Sequence, residues 1–518
     1  MMLRLDREAP LQHQIYDQLK HAVLSGRLEP GARLLSSRAL ADQHEISRNT
    51  VLIVYEQLLA EGYLETRPGA GTYVGTALPP NAEARAQRPA TPRSPRPVSL
   101  SRYSERLAAL DVGTLSRGTG LRYSFHYGTI SAADFPADIW RRLLLREIRR
   151  RAGKPYLYEN PHGLPELRGA LSDYLQRGRG IHARPEQILI VNGSQQAIDL
   201  ALRVLVDPDS AVVVEDPCYA GARLACEAMG VRLIRVPVDT DGLDTALLPP
   251  AKTRVRLAYV TPSHQFPTGG VMPAARRLAL LHWAERGGTY VLEDDYDSEY
   301  RYEGRPVEPL QALDRAGLVI YSGTVSKVLS PGLRLGYMVL PPDLVQPFLR
   351  AKQLTDRHTA SLEQAVFAHL IRDGHFERHI RRTRRRNQRR RDALLAALQA
   401  AFGTAVEIEG AKAGLHLVVR FRGIPASLAA SVAEAAAQHS VGITPAETGA
   451  DRESASFLMG YAGLDEADIR HGVALVLDVI QSFRRGGRDR QGARAGKLAP
   501  SNVRKMESGA PPPGSKRS

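Results

Sequence analysis

Lys327 lies in YSGTVSKVLSPGLRLGY, just after an apolar run and among small residues. A lysine held by small neighbours, with an arginine in reach, is what an aldehyde cofactor bearing a phosphate requires. Arg334 follows seven residues later. EDDYDSEY closes another apolar run and supplies carboxylates, of which Asp294 is the one expected to pair with a ring nitrogen and keep the ring an electron sink. VNGSQQAIDL reads as a strand, the turn Gly193-Ser194-Gln195, then a helix, so it offers backbone N–H groups and a hydroxyl to a phosphate. Tyr219, in EDPCYAG, is an aromatic for the face of a flat ring or an ordinary core residue. Each piece has a bland alternative: a surface lysine, a plain strand–helix turn, a packed tyrosine. The order phosphate loop, aromatic, carboxylate, lysine, arginine carries the reading.

The elements that must hold these residues are short β-branched runs, QILIVNG, AVVVEDP, RLAYVTP, TYVLEDD and GLVIYSG, alternating with helical stretches. Strands alternating with helices imply an α/β fold on a mainly parallel sheet. This body is expected over residues 121–483. Residues 77–120 are rich in Pro, Arg and Ala without apolar period and read as a linker. Residues 484–518 are rich in Gly, Arg and Pro and read as a disordered basic tail.

Residues 1–76 have another character. PLQHQIYDQLKHAVLSG carries Ile15, Leu19, Ala22 and Val23 at helical spacing, and Gly26 ends it. Ser36-Ser37-Arg38 opens a short helix through Asp42. Ser47 caps a third helix with Val51, Val54, Leu58 and Leu59 inward. YLETRPGAGTYV gives two short strands around a Pro-Gly turn. Three helices followed by a hairpin form a winged helix-turn-helix, with the third helix in the major groove and the hairpin flanking it. Ser-Arg-Asn-Thr at the start of that helix sets short donors and an arginine where phosphates and base edges lie. A three-helix bundle would explain the apolar spacing but not the SRNT start and the PGAGTY wing together.

Residues 9–75 closely resemble the GntR family of bacterial transcription regulators, through LSGRLEPGARL, SSRAL, SRNTV, YEQLLAEGYLE and RPGAGTYV. The resemblance implies contacts to a double-stranded DNA operator from Arg38, Arg48, Thr50 and the wing around Gly71. Leu35 stands where that family usually has proline. From about Phe125 to residue 483 the chain resembles the fold-type I pyridoxal-phosphate enzymes, the class I aminotransferases in particular. That implies pyridoxal 5′-phosphate as cofactor and Lys327 as its Schiff-base lysine. It implies Asp294 at the pyridine nitrogen, Tyr296 near the phenolic oxygen and Tyr219 on the ring. Ser194, Gln195, Thr324 and Arg334 would bind the phosphate. Tyr158, in YENPHGLPELR, would cross to the neighbouring subunit's phosphate, which implies a homodimer.

A GntR head on such a body is similar to the MocR subfamily of regulators, whose wording includes TPSHQFPTGG, EDDYDSEY and SKVLSPGLRLGYMVLPP. Two departures bear on function. Phe266 stands where aminotransferases have a cofactor-bonding asparagine, a role His264 is expected to take over. Gly463, in FLMGYAGL, stands where an arginine is expected to grip a substrate carboxylate. Both weigh against a working transaminase and against an amino-acid sensor. They favour a pyridoxal-phosphate-dependent regulator that senses the cofactor or an adduct of it. The alternative is an active aminotransferase carrying a DNA-binding head.

At about 100–200 residues per domain, 518 residues suggest three or four compact units. Two cysteines, Cys218 and Cys226, exclude a disulfide framework and a four-thiolate zinc site. No run of 18 apolar residues predicts a membrane helix, and MMLRLDREAP lacks a signal-peptide apolar region, so a reducing cytoplasm is expected. The net charge of +15 is unevenly placed. The head carries −1, while RRTRRRNQRRR holds eight arginines without an acid. At helical spacing Arg381, Arg385 and Arg389 share one face and Arg382, Arg386 and Arg390 another. These faces are expected either to touch DNA phosphates or to be a solvated helix surface.

Overall fold

Ile15, Leu19, Ala22 and Val23 recur at helical spacing and are the buried residues of α1, Leu11–Leu24. In this computed structural model, which describes residues 2–77, 99–112, 120–153, 157–304, 307–446 and 453–495, two units are distinguished, Met1–Ser99 and Leu100–Ser518. In the first, Ser36 caps α2, Ser37–His44, by accepting from the Ala39 amide at 3.1 Å. Ser47 caps α3, Arg48–Ala60, by accepting from the Asn49 amide at 3.2 Å. Val51, Val54, Tyr55 and Leu58 face the core. Leu59 is only half-buried. Tyr55 takes the inward place and ties down the loop before α2, its hydroxyl donating to the Leu35 carbonyl at 2.9 Å. β1, Leu64–Arg67, and β2, Gly71–Val74, pair antiparallel, with buried Leu64 opposite buried Val74.

The second unit is built on an eight-stranded mixed sheet. Its order is Ile188–Val191, Gly336–Val339, Val319–Thr324, Tyr290–Asp295, Val255–Val260, Ala211–Asp216, Arg232–Asp239, Gly242–Leu243. Gly336–Val339 and Gly242–Leu243 run antiparallel to their neighbours; the other paired strands are parallel. Ile188–Val191 is buried throughout, as a strand covered by helices on both faces must be. Sharing a direction, five of these strands end at one edge; Asp294 sits at the end of its strand, and the segments after the other four carry Ser194, Tyr219, Phe266 and Lys327. An antiparallel sheet, Val406–Glu409, His416–Pro425, Ser454–Gly460 and Thr444–Pro445, forms a second layer packed with helices His375–Phe402 and Glu466–Ala495.

Three expectations need correcting. Arg102–Ala108, inside the stretch 77–120 read as linker, is a helix capped by Ser101 and anchored by Arg106, whose guanidinium reaches the carbonyls of Ala228 and Met229. Residues 78–98 and 113–119 of that stretch lie outside the described residues. The last helix runs to Ala495, past residue 483 where the tail was expected to begin, continuing the helix that Val473, Val476 and Ile480 pack into the core. Residues 496–518 lie outside the described residues.

The third concerns the arginine run, which lies on the 28-residue helix His375–Phe402. Thr383, Asn387, Arg390, Arg391 and Leu394 share its buried face, so helical spacing turns two arginines inward. Arg386 and Arg390 both donate to Asp134, and Arg391 donates to the Ala411 carbonyl. Arg384 donates to the Glu299 carbonyl, and Arg389 pairs with Glu466. Most of the run holds this unit together and does not form two free basic faces.

Candidate functional site

Gly193, at φ +84°, ends the strand–turn segment and caps the helix Ser194–Leu205, turning the helix's free amides toward a pocket. A Cβ there would lie 3.2 Å from Nη2 of Arg334, so the backbone and the guanidinium approach closely only because residue 193 is glycine. Arg334 Nη2 donates to the Asn192 carbonyl at 2.6 Å, fixing its fork beside the turn. Asp356 braces the same turn from the helix Val345–Asp356. It accepts from Asn192 Nδ2 at 2.6 Å, Gln196 Nε2 at 2.8 Å and Lys352 Nζ at 2.7 Å. With Thr324, Ser326, Ser194 and Gln195, one end of the pocket is a set of phosphate donors.

The pocket also holds a carboxylate. Asp294, 4% exposed at the end of strand Tyr290–Asp295, accepts from Tyr259 Oη at 2.9 Å and from Ser194 Oγ at 3.2 Å. Burial pushes its pKa up to about 6, with the Tyr259 and Ser194 hydroxyls opposing. Lys327 lines the same pocket, its Nζ 4.4 Å from the centre of the Tyr127 ring. Burial lowers its pKa, against the attraction of Asp297 and Asp294. A Cβ on Gly128, at φ +92°, would stand 3.0 Å from that Nζ, so the chain passes the lysine where only a glycine fits well. Tyr219, Tyr296 and Phe266 complete the walls of an open-sided cavity of about 160 Å³.

Eight of the ten residues singled out for a cofactor therefore line one pocket: Lys327, Asp294, Tyr296, Tyr219, Ser194, Gln195, Thr324 and Arg334. Two do not. His264 is buried, and Asp297 and the Tyr296 hydroxyl each lie 3.1 Å from its Nδ1, so it acts on Tyr296 and does not line the pocket. Tyr158 is 80% exposed, its ring beside Arg357 and His358, outside the pocket of its own chain. The sequence reading missed Tyr127, Tyr259 and Ser326. Ser326 was within reach of it, standing next to Lys327; Tyr127 and Tyr259 carry no local signal and arrive through the fold.

Gly463 also needs correcting. It lies past the end of strand Ser454–Gly460, and a Cβ there would stand 2.7 Å from Thr129 Cγ2. Within the strand, Phe457 and Met459 enter the core of the second layer. Side chains alternate, so Leu458 shares the opposite face with Gly460, whose own Cβ direction meets His126 and Tyr127. Leu458, buried and apolar, thus lies on the face opposite Phe457 and Met459, and no arginine occurs in Ser454–Gly463.

In the head, Arg38 and Arg48 are exposed at the N-terminal turns of α2 and α3, Thr50 is half-buried, and Gly71 opens β2 at φ +116°. Arg33 was not singled out. Its guanidinium packs against Gly71, as a Cβ there would sit 3.4 Å from Arg33 Nε, and Arg67 stacks on Tyr73 at 4.4 Å. The wing thus carries two arginines of its own.

A winged helix-turn-helix and a fold-type I aminotransferase-like body whose pocket gathers a buried lysine, phosphate donors and a carboxylate define a class of two-part regulator. Residues 11–74 match the bacterial regulatory proteins of the gntR family, and residues 132–476 match aminotransferase class I and II. The chain is 39% identical to the probable rhizopine catabolism regulatory protein MocR of Rhizobium meliloti, over 91% of this chain and 94% of that one. It is 33% identical to the pyridoxine biosynthesis transcriptional regulator PdxR of Corynebacterium glutamicum, over 71% and 74%. Among solved structures it resembles LysN, an α-aminoadipate aminotransferase from Thermus thermophilus complexed with N-(5′-phosphopyridoxyl)-L-leucine. The TM-score is 0.64 at 30% identity, covering 74% of this chain and 99% of that one. The chain belongs to the MocR group of GntR-type transcription regulators, with a DNA-binding head and an aminotransferase-like body.

Proposed function

We propose that this regulator senses pyridoxal 5′-phosphate, or an adduct of it, in its body and reports the event through the winged helix on a double-stranded operator. The pocket's lining carries the reading: phosphate donors, a buried carboxylate and Lys327 in one cavity. Among its described lining residues, Arg334 is the single arginine and belongs to the phosphate end.

The residues present fit the group. Ser194, Gln195, Thr324 and Arg334 hold the phosphate, and Tyr219 covers a face of the ring. Asp294 would keep a proton on the ring nitrogen, and Tyr296, its hydroxyl donating to the His264 carbonyl at 2.8 Å, would stand near the phenolic oxygen. Bound there, the group supplies an electrophilic carbonyl and an electron-withdrawing ring. Lys327, its pKa lowered by burial, would supply the amine facing that carbonyl. Tyr158, turned outward, serves the partner's phosphate in a homodimer. Arg38, Arg48, Thr50 and the backbone at Gly71 meet the DNA, which in bacteria places the protein in the cytoplasm. The relative named for pyridoxine biosynthesis supports the vitamin as the signal.

The intact Lys327, Asp294 and Tyr296 set favours a second reading, a working transaminase. That chemistry also needs a partner for the substrate carboxylate, and among the described lining residues no arginine besides Arg334 offers one. Single-turnover mixing of the pyridoxal-phosphate-loaded protein with a panel of L-amino acids separates the two. A sensor keeps its visible band; conversion to the pyridoxamine form within seconds supports the transaminase.

A further inference from the structure

The helix Ala220–Met229 has Tyr219 as its N-cap and Gly230 as its C-cap. At one end Tyr219 is a wall of the pocket, and Gln195, another lining residue, donates from Nε2 to the Gly221 carbonyl at 3.1 Å. The Tyr219 ring is pressed against Gly221 so closely that a Cβ there would fall 2.4 Å from it. Movement of that ring is therefore movement of the helix end. Ten residues away, the last carbonyls of the helix meet Arg106. Its Nε donates to Ala228 at 2.8 Å and its Nη2 to Met229 at 3.2 Å. These acceptors have no partner within their own helix, and a cation there also meets the negative end of the helix dipole. The guanidinium sits over Gly230, whose missing Cβ would lie 2.7 Å from Arg106 Cζ; at φ +77° that residue is confined to glycine twice over.

Arg106 belongs to the helix Arg102–Ala108, part of the stretch that follows the winged head in sequence. That helix has no buried residue. Its Arg106 is half-buried, while its apolar Tyr103 and Leu107 are exposed at 41% and 38%. An element held by a polar fork and not by a core is drawn from the easily released end of the stability range.

The geometry points to Arg106 as the positioning residue that couples the pocket to the DNA-binding head, with the helix Ala220–Met229 as the rod, about 15 Å long, between them. A ligand seated on Tyr219 fixes one end of the rod. The fixed carbonyls at the other end then set how firmly Arg106 holds the segment leading to the head. Arg106 touches neither ligand nor DNA. The inference rests on the reading of Tyr219 as a cofactor-stacking residue.

The test uses the full-length protein and its Arg106→Ala and Arg106→Lys variants. Pyridoxal phosphate binding is read by absorbance, and affinity for the protein's own upstream DNA is read with and without pyridoxal phosphate. The parent's DNA affinity changes by a factor of about five or more on adding pyridoxal phosphate, and by linkage DNA changes pyridoxal phosphate affinity by the same factor. Arg106→Ala binds pyridoxal phosphate within about twofold of the parent, but both factors fall to near one. Arg106→Lys, which keeps the charge and loses the fork, lies between. Should the alanine variant respond with the parent's full factor, the coupling role is overturned while the sensing reading stands. Should it bind pyridoxal phosphate more weakly and be less stable yet keep the factor at saturation, Arg106 is a structural cap only and the inference is again overturned. A parent that binds no pyridoxal phosphate, or whose DNA affinity ignores it, overturns the sensing reading and the coupling with it. Amide exchange over residues 101–112 gives a DNA-free check. It slows on adding pyridoxal phosphate in the parent and not in Arg106→Ala; equal slowing in both contradicts the inference.

Discussion

Arg390 Nη1 lies 2.5 Å from Asp134 Oδ2, both side chains buried, and Arg386 holds the other carboxylate oxygen at 2.7 Å. This three-membered pair fastens the long basic helix to the segment before helix Ala137–Arg150, and it settles where much of the arginine run is directed. Arg390→Gln strands half of a buried pair and is expected to cost about 3 kcal/mol in chemical denaturation. Arg385→Gln, at an exposed position, is expected to stay within about 0.5 kcal/mol. Neither change should alter the salt dependence of DNA binding. A slope flattened by about one unit for Arg390→Gln would put that arginine on a phosphate.

Lys327 should carry the label when the pyridoxal-phosphate-treated protein is reduced with borohydride and digested. Lys327→Ala should be colourless and unlabelled. Label on another lysine would contradict the assignment.

Asp294 gives the pocket a pH dependence with a definite sign. Its carboxyl is neutral below about 6 and cannot then pair with a protonated ring nitrogen. Pyridoxal phosphate affinity of the parent should therefore weaken as pH falls through 6, by up to about tenfold per unit below it, relative to Asp294→Asn measured in parallel. Stability carries the opposite sign. The folded chain retains a proton that the unfolded chain releases, so this group costs stability as pH rises from the ordinary carboxyl range to about 6. Parallel pH profiles for parent and Asp294→Asn would remove Asp294 from the ring nitrogen.

Arg48 begins α3, the helix expected in the major groove. If it reads a base, Arg48→Ala should cost about 1–3 kcal/mol at the operator and little on random DNA. Arg33, packed under Gly71 of the wing, should by contrast lose affinity about equally on both when changed to alanine, as a phosphate contact does. Competition binding with the two DNAs reads both, and an unchanged Arg48→Ala would take that residue out of the interface.

How much of this was legible follows from where the signal lies. Helix caps such as Ser36 and Ser47, and the apolar face of α1, are local and could be read directly. So could the strand–turn–helix at Ser194, because a glycine at positive φ before a helix is itself a local signature. The partners of the arginines were not local. Arg390 and Asp134 are far apart in the chain, and a run of eight arginines looks solvated until the fold supplies an acceptor. Tyr127 and Tyr259 enter the pocket from elements with no motif of their own. Gly463 was chosen by counting along a motif, whereas the strand ends at Gly460 and Gly463 does not line the pocket. The stretch read as linker looked unstructured because the helix at Arg102–Ala108 buries nothing and is held by one guanidinium.

The most direct test of the account is a titration of the purified full-length protein with pyridoxal 5′-phosphate, following the visible band and the affinity for its own upstream DNA in the same samples. The account predicts that both change over the same concentration range and that Lys327→Ala abolishes both changes together. A band that saturates while DNA affinity stays constant, or a DNA response that survives in Lys327→Ala, would contradict it.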